Sequence, residues 1–321
     1  MLEAQGCKQL LEHWSDKNEP SNPQAASSLF NGMVSPLAQT PIGGVIWYHG
    51  TANIGRGEQY SRLFPLFIKS WRTHFRSNEL PFYFVQPAPY RFEDLGTDAL
   101  PEIWDAQLKT FKTTSKLGMV VTTDLADPQL VNNRHKLTIA KRLSGWAFKH
   151  CYFAALAKKN PTTTDSEKPN EGTNVEIERG PQESKQENRE NSDGANSDGA
   201  NSDGANSAVN QNICSGPIYD SAKIEGNSIV IAFRYAQSEL KISQDAKNSF
   251  TICGEDKKFV TAQVRVDGQR LIVSHPDIKI PIAVRYAWTD TAQPGLTNSS
   301  GLPAAPFRTD DFPLTSSGIE F

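Results

Sequence analysis

The first third of the chain alternates short apolar runs with a helical pattern of apolar positions. Val45 to Tyr48 is apolar, β-branched and aromatic, and a loop rich in glycine follows it, which predicts a buried strand that ends in a loop. A second buried strand is predicted over Pro81 to Val85. From Glu58 onward, apolar residues recur at helical spacing: Leu63, Phe64, Phe67, Ile68 and Trp71. Strand, helix and strand in this order predict a parallel α/β layer.

The last third of the chain shows the alternation that is typical of antiparallel hairpins. Apolar and polar residues alternate over Ala222 to Phe233, Phe259 to His275 and Ile280 to Trp288. Gly226-Asn227 and Asp267-Gly268 supply turn residues inside the first two of these segments. We therefore predict a β-rich carboxyl-terminal module.

A helix and a low-complexity stretch separate these two parts. An apolar stripe from about Lys136 to Lys158 predicts a helix that packs on the sheet. The stretch over 160–212 contains three Asn-Ser-Asp-Gly-Ala units, lacks aromatic residues and carries eleven acidic residues against four basic ones. This composition predicts disorder, and a role of the repeat in recruiting a partner or calcium is the alternative. The expected organisation is an α/β region over 1–159, an acidic insert over 160–212 and a β-rich module over 213–321.

Ordered motifs over most of the chain carry a resemblance to a known family. They include NGMVSPL (31–37), GVIWYHGTAN (44–53), EQYSRLFPLFIKSW (58–71), LPFYFVQPAPY (80–90), LGMVVTTDLADP (117–128), VRYAW (284–288) and GLPAAPFRTDDFPL (301–314). Together they resemble the sialate O-acetylesterases, which are carbohydrate esterases of the SGNH-hydrolase type. The resemblance implies a partial SGNH-hydrolase-like parallel sheet with flanking helices and a sandwich-like carboxyl-terminal module. It also implies hydrolysis of acetyl esters on sialic acid or related sugars.

The resemblance assigns part of an active site to the loop after the first predicted strand. The family's reaction uses a serine activated by a histidine, with an oxyanion hole that holds the developing charge. The oxyanion-hole asparagine falls on Asn53, and the predicted substrate-binding residues of this loop are His49 and Gly50. His49 stands where glutamine is usual in the family. We expect it to line the pocket as a hydrogen-bonding residue, and a new catalytic base is the alternative.

The other catalytic groups of the family are missing from the matching positions. No block similar to Gly-Gln-Ser-Asn occurs in the chain, so no serine is assigned as nucleophile. The family's Asp-x-x-His pair falls on Leu130 and Asn132, which can neither orient an imidazole nor accept a proton near neutral pH. His135 is a candidate displaced base, with Asp124 and Asp127 nearby in sequence, and a solvated loop histidine is the alternative. These replacements predict a degenerate catalytic site.

A sugar-contacting surface is predicted in the carboxyl-terminal module from Arg285, Tyr286 and Trp288. Aromatic faces stack on sugar rings and arginine pairs with carboxylates. The stronger alternative is an inward-facing strand whose aromatic side chains build the core. Arg308 is likewise expected either to anchor its loop to Asp310 or Asp311 or to bind a ligand.

The sequence gives no support to several other classes of function. The six histidines show no pair at metal-binding spacing with a third ligand, and the four cysteines form no Cys-x-x-Cys motif, so we expect no metal or other cofactor. Free thiols are expected, with a bridge from Cys151 to Cys214 as the alternative. No apolar run could span a bilayer and no basic patch indicates nucleic-acid binding, so neither is an expected partner. No signal peptide is found, which indicates the cytoplasm, whereas the resemblance indicates a secreted or periplasmic protein.

Two classes of function follow from these observations, with an O-acetylated sugar as the expected ligand. The first is an esterase by descent that is impaired, or that works only with a missing amino-terminal segment supplied as a separate chain. The second is a non-catalytic carbohydrate-binding or scaffold protein. The resemblance implies an upstream strand and helix that complete the sheet, and a sheet edge left open is an aggregation risk.

Overall fold

A computed structural model describes residues 27–126, 135–152 and 214–320, apart from positions 238 and 294 and the side chains of 245 and 247. The predicted insert over 160–212 and the block that aligns with Asp-x-x-His lie outside the described residues. The α-helices of the described part are α1 (Gly57–His74), α2 (Ala99–Thr113) and α3 (Lys136–Ala147). The strands of its first half are β1 (Val45–Tyr48), β2 (Phe82–Val85) and β3 (Leu117–Val120).

These three strands form a parallel sheet in the order β1-β2-β3. Trp47 pairs with Phe84, and Phe84 pairs with Met119. Every residue of β2 and β3 is buried, which is why both read as continuous apolar runs rather than as alternating patterns. The parallel α/β layer and both predicted strands are confirmed, but β1 is not buried on both faces as predicted, since Ile46 and Tyr48 are exposed.

Helices cover opposite faces of the sheet. The ring of Phe64 on α1 lies 4.9 Å from that of Phe84, whereas Trp146 on α3 packs beside Tyr83 at Gly118. Since neighbouring residues of a strand point to opposite faces, α1 and α3 lie on different sides. Helix α2 packs beside α1. A Cβ atom on Gly118 would lie 2.6 Å from Trp146, so glycine allows α3 to approach the sheet closely.

The helix predicted over Lys136 to Lys158 is shorter than expected. Its α-helical part ends at Ala147, and a π-helical turn follows over Phe148–Tyr152. The last six predicted positions lie outside the described residues. Ile139, Leu143 and Trp146 of the predicted stripe are buried, whereas Leu137 is 71% exposed, so the stripe that faces the sheet is narrower than the sequence indicated.

The carboxyl-terminal half is built from antiparallel sheets, as predicted. One sheet has the order β4-β5-β10-β9 and another has β13-β11-β7-β8, while β12 and β6 form a pair. The strands are β4 (Ile218–Glu225), β5 (Ser228–Arg234), β6 (Lys241–Ile242), β7 (Phe250–Cys253), β8 (Val260–Thr261), β9 (Gln263–Asp267), β10 (Arg270–Ser274), β11 (Ala283–Tyr286), β12 (Leu296–Thr297) and β13 (Phe307–Arg308). Both predicted turns connect hairpins, with Gly226 and Gly268 in the left-handed region at φ of +61° and +60°.

Buried aromatic rings hold the β-rich part together. Tyr219 of β4 stacks on Phe307 of β13 with ring centres 4.9 Å apart, so the two larger sheets meet there. Tyr286 of β11 is 1% exposed and packs against Phe250 and Phe307. The aromatic residue at the centre of the VRYAW motif therefore belongs to the core.

The two halves of the described chain share one hydrophobic core and a buried polar contact. The ring of Trp146 lies 5.5 Å from that of Tyr235. Glu102 on α2 is 1% exposed and accepts hydrogen bonds from the backbone N–H groups of Thr315 and Ser316. The carboxyl-terminal segment is thereby fixed beside the helix that precedes β3.

Candidate functional site

The loop after β1 lies at the edge of the sheet where parallel strands place their carboxyl ends. Ligands of open α/β sheets bind at this edge. Two backbone hydrogen bonds shape the loop, from Ile54 N–H to the carbonyl of Thr51 at 3.0 Å and from Arg56 N–H to that of Asn53 at 3.0 Å. Gly55 follows with φ of +87°, a conformation that favours glycine. The buried side chain of Ile54 anchors the loop, and Asn53 stays half-buried.

A pocket of about 390 Å³ extends from this loop along α1. Its polar wall is formed by His49, Asn53, Tyr60 and Ser70, and its apolar wall by Trp47, Leu63, Phe64, Leu66 and Phe67. His49, Asn53 and Tyr60 lie near the loop, whereas Ser70 lies toward the other end of α1. A pocket of this size and character is typical of small-molecule sites.

His49 is held in one protonation state by its neighbours. The indole N–H of Trp47 donates to Nδ1 of His49 at 3.2 Å, and the hydroxyl of Tyr60 lies 3.3 Å from the same nitrogen. Because an indole nitrogen can only donate, Nδ1 must be unprotonated, and the proton of the neutral ring sits on Nε2. His49 is 7% exposed, and burial lowers its pKa to about 4. The ring is therefore neutral at pH 7.

Two polar groups of this site have unusual surroundings. Nε2 of His49 is buried and has no hydrogen-bond partner among the described residues. Burial also raises the pKa of the Tyr60 hydroxyl, so this group stays protonated over the physiological range. The site thus offers hydrogen-bond donors at its polar end, namely Nε2–H of His49 and the amide of Asn53, and no charged side chain lines the pocket.

Comparisons with known proteins agree with this geometry. Over 141 residues the chain is 32% identical to the sialate O-acetylesterase of Rattus norvegicus, which covers 38% of this chain and 26% of the relative. The Homo sapiens sialate O-acetylesterase is 29% identical over 140 residues, with 38% and 27% covered. The structure of a carbohydrate acetylesterase from Xanthomonas citri superposes with a TM-score of 0.64 and 25% identity, covering 88% of this chain and 54% of that one. In sequence and in fold, the chain is similar to the sialate O-acetylesterases and to a carbohydrate acetylesterase.

This similarity covers only part of the length of these relatives. The chain spans about a quarter of the length of the curated relatives that it matches, and about half of the solved one. No family model matches the sequence. The family fold, a parallel sheet between helices with antiparallel sheets after it, is nonetheless the one that the described residues adopt.

Leu130 and Asn132, which the sequence resemblance aligns with the family's Asp-x-x-His pair, lie outside the described residues, but residues on either side of them are described. His135 is exposed and directly precedes α3. The ammonium group of Lys136 lies 4.1 Å from the ring centre of Tyr48, which brings the start of α3 next to the end of β1. Asp124 is bound by both terminal nitrogens of Arg142, so this carboxylate is already paired.

The structure places the predicted residues of the carboxyl-terminal module away from the pocket wall. The Arg285 guanidinium pairs with Asp310 at 2.9 and 3.0 Å and lies 5.2 Å from the ring centre of Trp288. Neither Arg285 nor Trp288 lines the pocket that His49 and Asn53 share, and Gly50 is exposed beside it. Arg308 contacts Asp310 at 3.3 Å, the loop-anchoring arrangement that its sequence neighbours indicated.

Two important partners of His49 were not identified from the sequence. Trp47 lies two positions before His49 on the same strand, so period-two spacing alone places both side chains on one face. Tyr60 reaches His49 from the next helix, and no local sequence signal predicts this contact. The cysteines are free thiols at Cys151, Cys214 and Cys253, so the alternative bridge from Cys151 to Cys214 is absent.

Two features are absent from the described part of the chain. No group of three or more histidine, cysteine, aspartate or glutamate side chains there could hold a metal ion. None of the helices there is long and apolar enough to cross a bilayer.

Proposed function

We propose that this chain carries the ester-binding side of a carbohydrate acetylesterase site, with an O-acetylated sugar as its ligand. The observation that carries the proposal is the amide of Asn53 in the pocket wall, in a loop held by two backbone hydrogen bonds. An asparagine at this position of the family supplies a donor to the oxygen of the acyl group, where charge develops during hydrolysis. The names of the relatives, sialate O-acetylesterase and carbohydrate acetylesterase, indicate the same class of ligand.

We further propose that the 321 residues alone are catalytically impaired. No serine block of the family's type is present, and Leu130 and Asn132 replace the acid and the base. His49 is a poor substitute for that base, because its Nδ1 is engaged by Trp47 and burial lowers its pKa to about 4. A base works best when its pKa lies near the operating pH.

The proposal predicts binding without turnover. Calorimetric titration with an O-acetylated sialic acid should give heat of binding, and the same sugar without its acetyl group should bind more weakly. Asn53→Ala should weaken binding about fivefold, since one hydrogen bond is worth about 1 kcal/mol. Thr51→Ala, at an exposed position of the same loop outside the pocket wall, is the matched control and should bind like the wild type.

Hydrolysis of a chromogenic acetyl ester by the same preparations tests the second part. Turnover by the chain alone that is lost in Asn53→Ala or His135→Ala would contradict impairment and reveal an unassigned nucleophile. Binding of the sugar regardless of its acetyl group would favour the alternative, a non-catalytic carbohydrate-binding protein. No binding and no turnover would contradict the proposal as a whole.

A further inference from the structure

Tyr60 connects the pocket to the interior of the protein. Its ring centre lies 4.8 Å from that of His49, and its hydroxyl lies 3.3 Å from Nδ1 of His49. Because Nδ1 accepts from the indole of Trp47 and carries no proton, the hydroxyl of Tyr60 is the donor in this contact. A hydroxyl that donates its proton still has two lone pairs. The Tyr60 oxygen can therefore accept a hydrogen bond from a group behind it.

Gln107 of α2 is level with Tyr60 of α1. Each of these helices connects two neighbouring parallel strands, so the two helices run in the same direction. Gly57 at the start of α1 lies against Glu102 near the start of α2, since a Cβ atom on Gly57 would clash with Glu102. Tyr60 and Gln107 each follow roughly one turn later on their helices. The packing of the two helices thus brings them to the same height.

The amide group of Gln107 is buried without a regular hydrogen bond. Gln107 is 0% exposed, and neither the nitrogen nor the oxygen of its amide has a regular partner among the described residues. This amide nonetheless acts on the Tyr60 hydroxyl, because its hydrogen bond opposes part of the rise that burial causes in the pKa of Tyr60. The contact is thus directed at the Tyr60 oxygen but is looser than a normal hydrogen bond.

The other end of this series of groups is the pocket. Nε2 of His49 carries the ring proton and has no partner among the described residues, and His49 lines the pocket together with Asn53. When each member of a hydrogen-bonded chain donates to the next, every bond polarises the following one. A donor that is polarised and held in this way stabilises charge on an acyl oxygen better than a mobile one.

We propose that Gln107 is a positioning residue of the ester-binding site and acts through Tyr60 and His49. The amide of Gln107 donates to the Tyr60 hydroxyl, and this hydroxyl donates to Nδ1 of His49. Nε2–H of His49 then donates to the acyl oxygen of the ligand, as the amide of Asn53 also does. Ligand binding tightens the loose first contact, as is common for hydrogen bonds in sites without a ligand. The last step rests on the proposed function, whereas the first two depend only on the fold.

The test compares Gln107→Met with the wild type. Methionine has a similar length and no amide, so it removes the donor and keeps the buried volume. Calorimetric titration with an O-acetylated sialic acid should show binding that is about three- to fivefold weaker. The variant should nevertheless be at least as resistant to urea as the wild type, because it also removes a buried amide that has no regular partner. A merely structural role of Gln107 would instead lower stability and leave the affinity unchanged.

Two further measurements separate this chain of contacts from a general loss of packing. The nitrogen-15 shift of Nδ1 in His49 should change in Gln107→Met without ligand, because the Tyr60 hydroxyl is no longer held on it. Tyr60→Phe should weaken sugar binding at least as much as Gln107→Met. The double variant should bind no more weakly than Tyr60→Phe alone, since Gln107 acts only through the hydroxyl that this change removes.

Gln59→Met is the matched control. Gln59 is 5% exposed, its Oε1 likewise has no partner among the described residues, and it does not line the pocket. This variant should bind the sugar like the wild type and leave the His49 shifts unchanged. Circular dichroism checks that all variants fold, and Gln107→Leu repeats the test if Gln107→Met does not.

The outcomes distinguish a failure of this proposal from a failure of the proposed function. Sugar binding by Gln107→Met at the wild-type affinity would overturn the positioning role and leave the proposed function standing. Losses that add up in the double variant would also overturn it, because Gln107 and Tyr60 would then act independently. No binding by the wild type would refute the proposed function, and the Nδ1 shift alone would then decide whether Gln107 holds His49 through Tyr60.

Discussion

The buried, neutral His49 should make the protein sensitive to mild acid. Its pKa is lowered to about 4 in the folded protein, whereas the ordinary value is 6.5. Below pH 6.5 the unfolded chain takes up a proton that the folded protein refuses, so the free energy of unfolding falls. The loss begins near pH 6.5, grows until the pH reaches the folded pKa near 4, and is constant below that.

The magnitude follows from the difference between the two pKa values. Each tenfold difference in proton affinity is worth about 1.4 kcal/mol, so the full loss is roughly 3 kcal/mol, of which roughly 2 kcal/mol has occurred by pH 5. His49 is only 7% exposed, so solvent screens this effect little. The loss is a large share of the roughly 5–15 kcal/mol that stabilises a typical domain.

The measurement is urea unfolding of the wild type and His49→Gln at several values of pH from 7 to 4. Glutamine does not titrate, so the stability difference between the two proteins should shift by roughly 3 kcal/mol in favour of the variant as the pH falls. Taking the difference cancels the carboxylates that both proteins share. Parallel curves, or an imidazole NMR signal of His49 that titrates near pH 6.5, would refute the reasoning.

Three further predictions concern single contacts. Trp47→Phe removes the indole N–H that donates to Nδ1 of His49, so both neutral tautomers of His49 should become populated. The nitrogen-15 chemical shifts of the His49 imidazole should then change, and unchanged shifts would contradict the assigned tautomer. Glu102→Ala should lower the free energy of unfolding in urea by about 2–3 kcal/mol, because it leaves the N–H groups of Thr315 and Ser316 without their acceptor. The matched control Glu320→Ala, at an exposed ion pair, should lower it by less than about 1 kcal/mol. Gly118→Ala should cost about 1–3 kcal/mol through overpacking, and a melting temperature equal to that of the wild type would disprove the close approach.

Local patterns were sufficient for the secondary structure around the site. Strand β1 and helix α1 each bury one face against the core, and the apolar residues that the sequence places at these positions predict this burial. The two hairpin turns were also predictable from local sequence, because Gly226 and Gly268 adopt a left-handed conformation that favours glycine. Helix α3 was overestimated, since a stripe in sequence does not show where tertiary packing stops supporting an α-helix.

The position of Asn53 in a pocket wall was predictable from the family motifs. The protonation state of His49 was not, because it depends on burial and on Tyr60, which reaches the ring from another element. Arg285 illustrates the same limit. Its residue type and its position near Trp288 in sequence suggested sugar binding. In the folded protein, however, the Arg285 guanidinium group pairs with Asp310 and lies 4.2 Å from the ring centre of Phe259.

The sequence by itself determined the resemblance to the sialate O-acetylesterases and the order of the described strands and helices. These are properties of residue type and spacing along the chain. Only the tertiary structure decided the pairing order of the described strands, and that His49, Asn53 and Tyr60 come together in one pocket beside α1. Pairing partners and burial depend on contacts between residues far apart in sequence, and such contacts leave no local pattern.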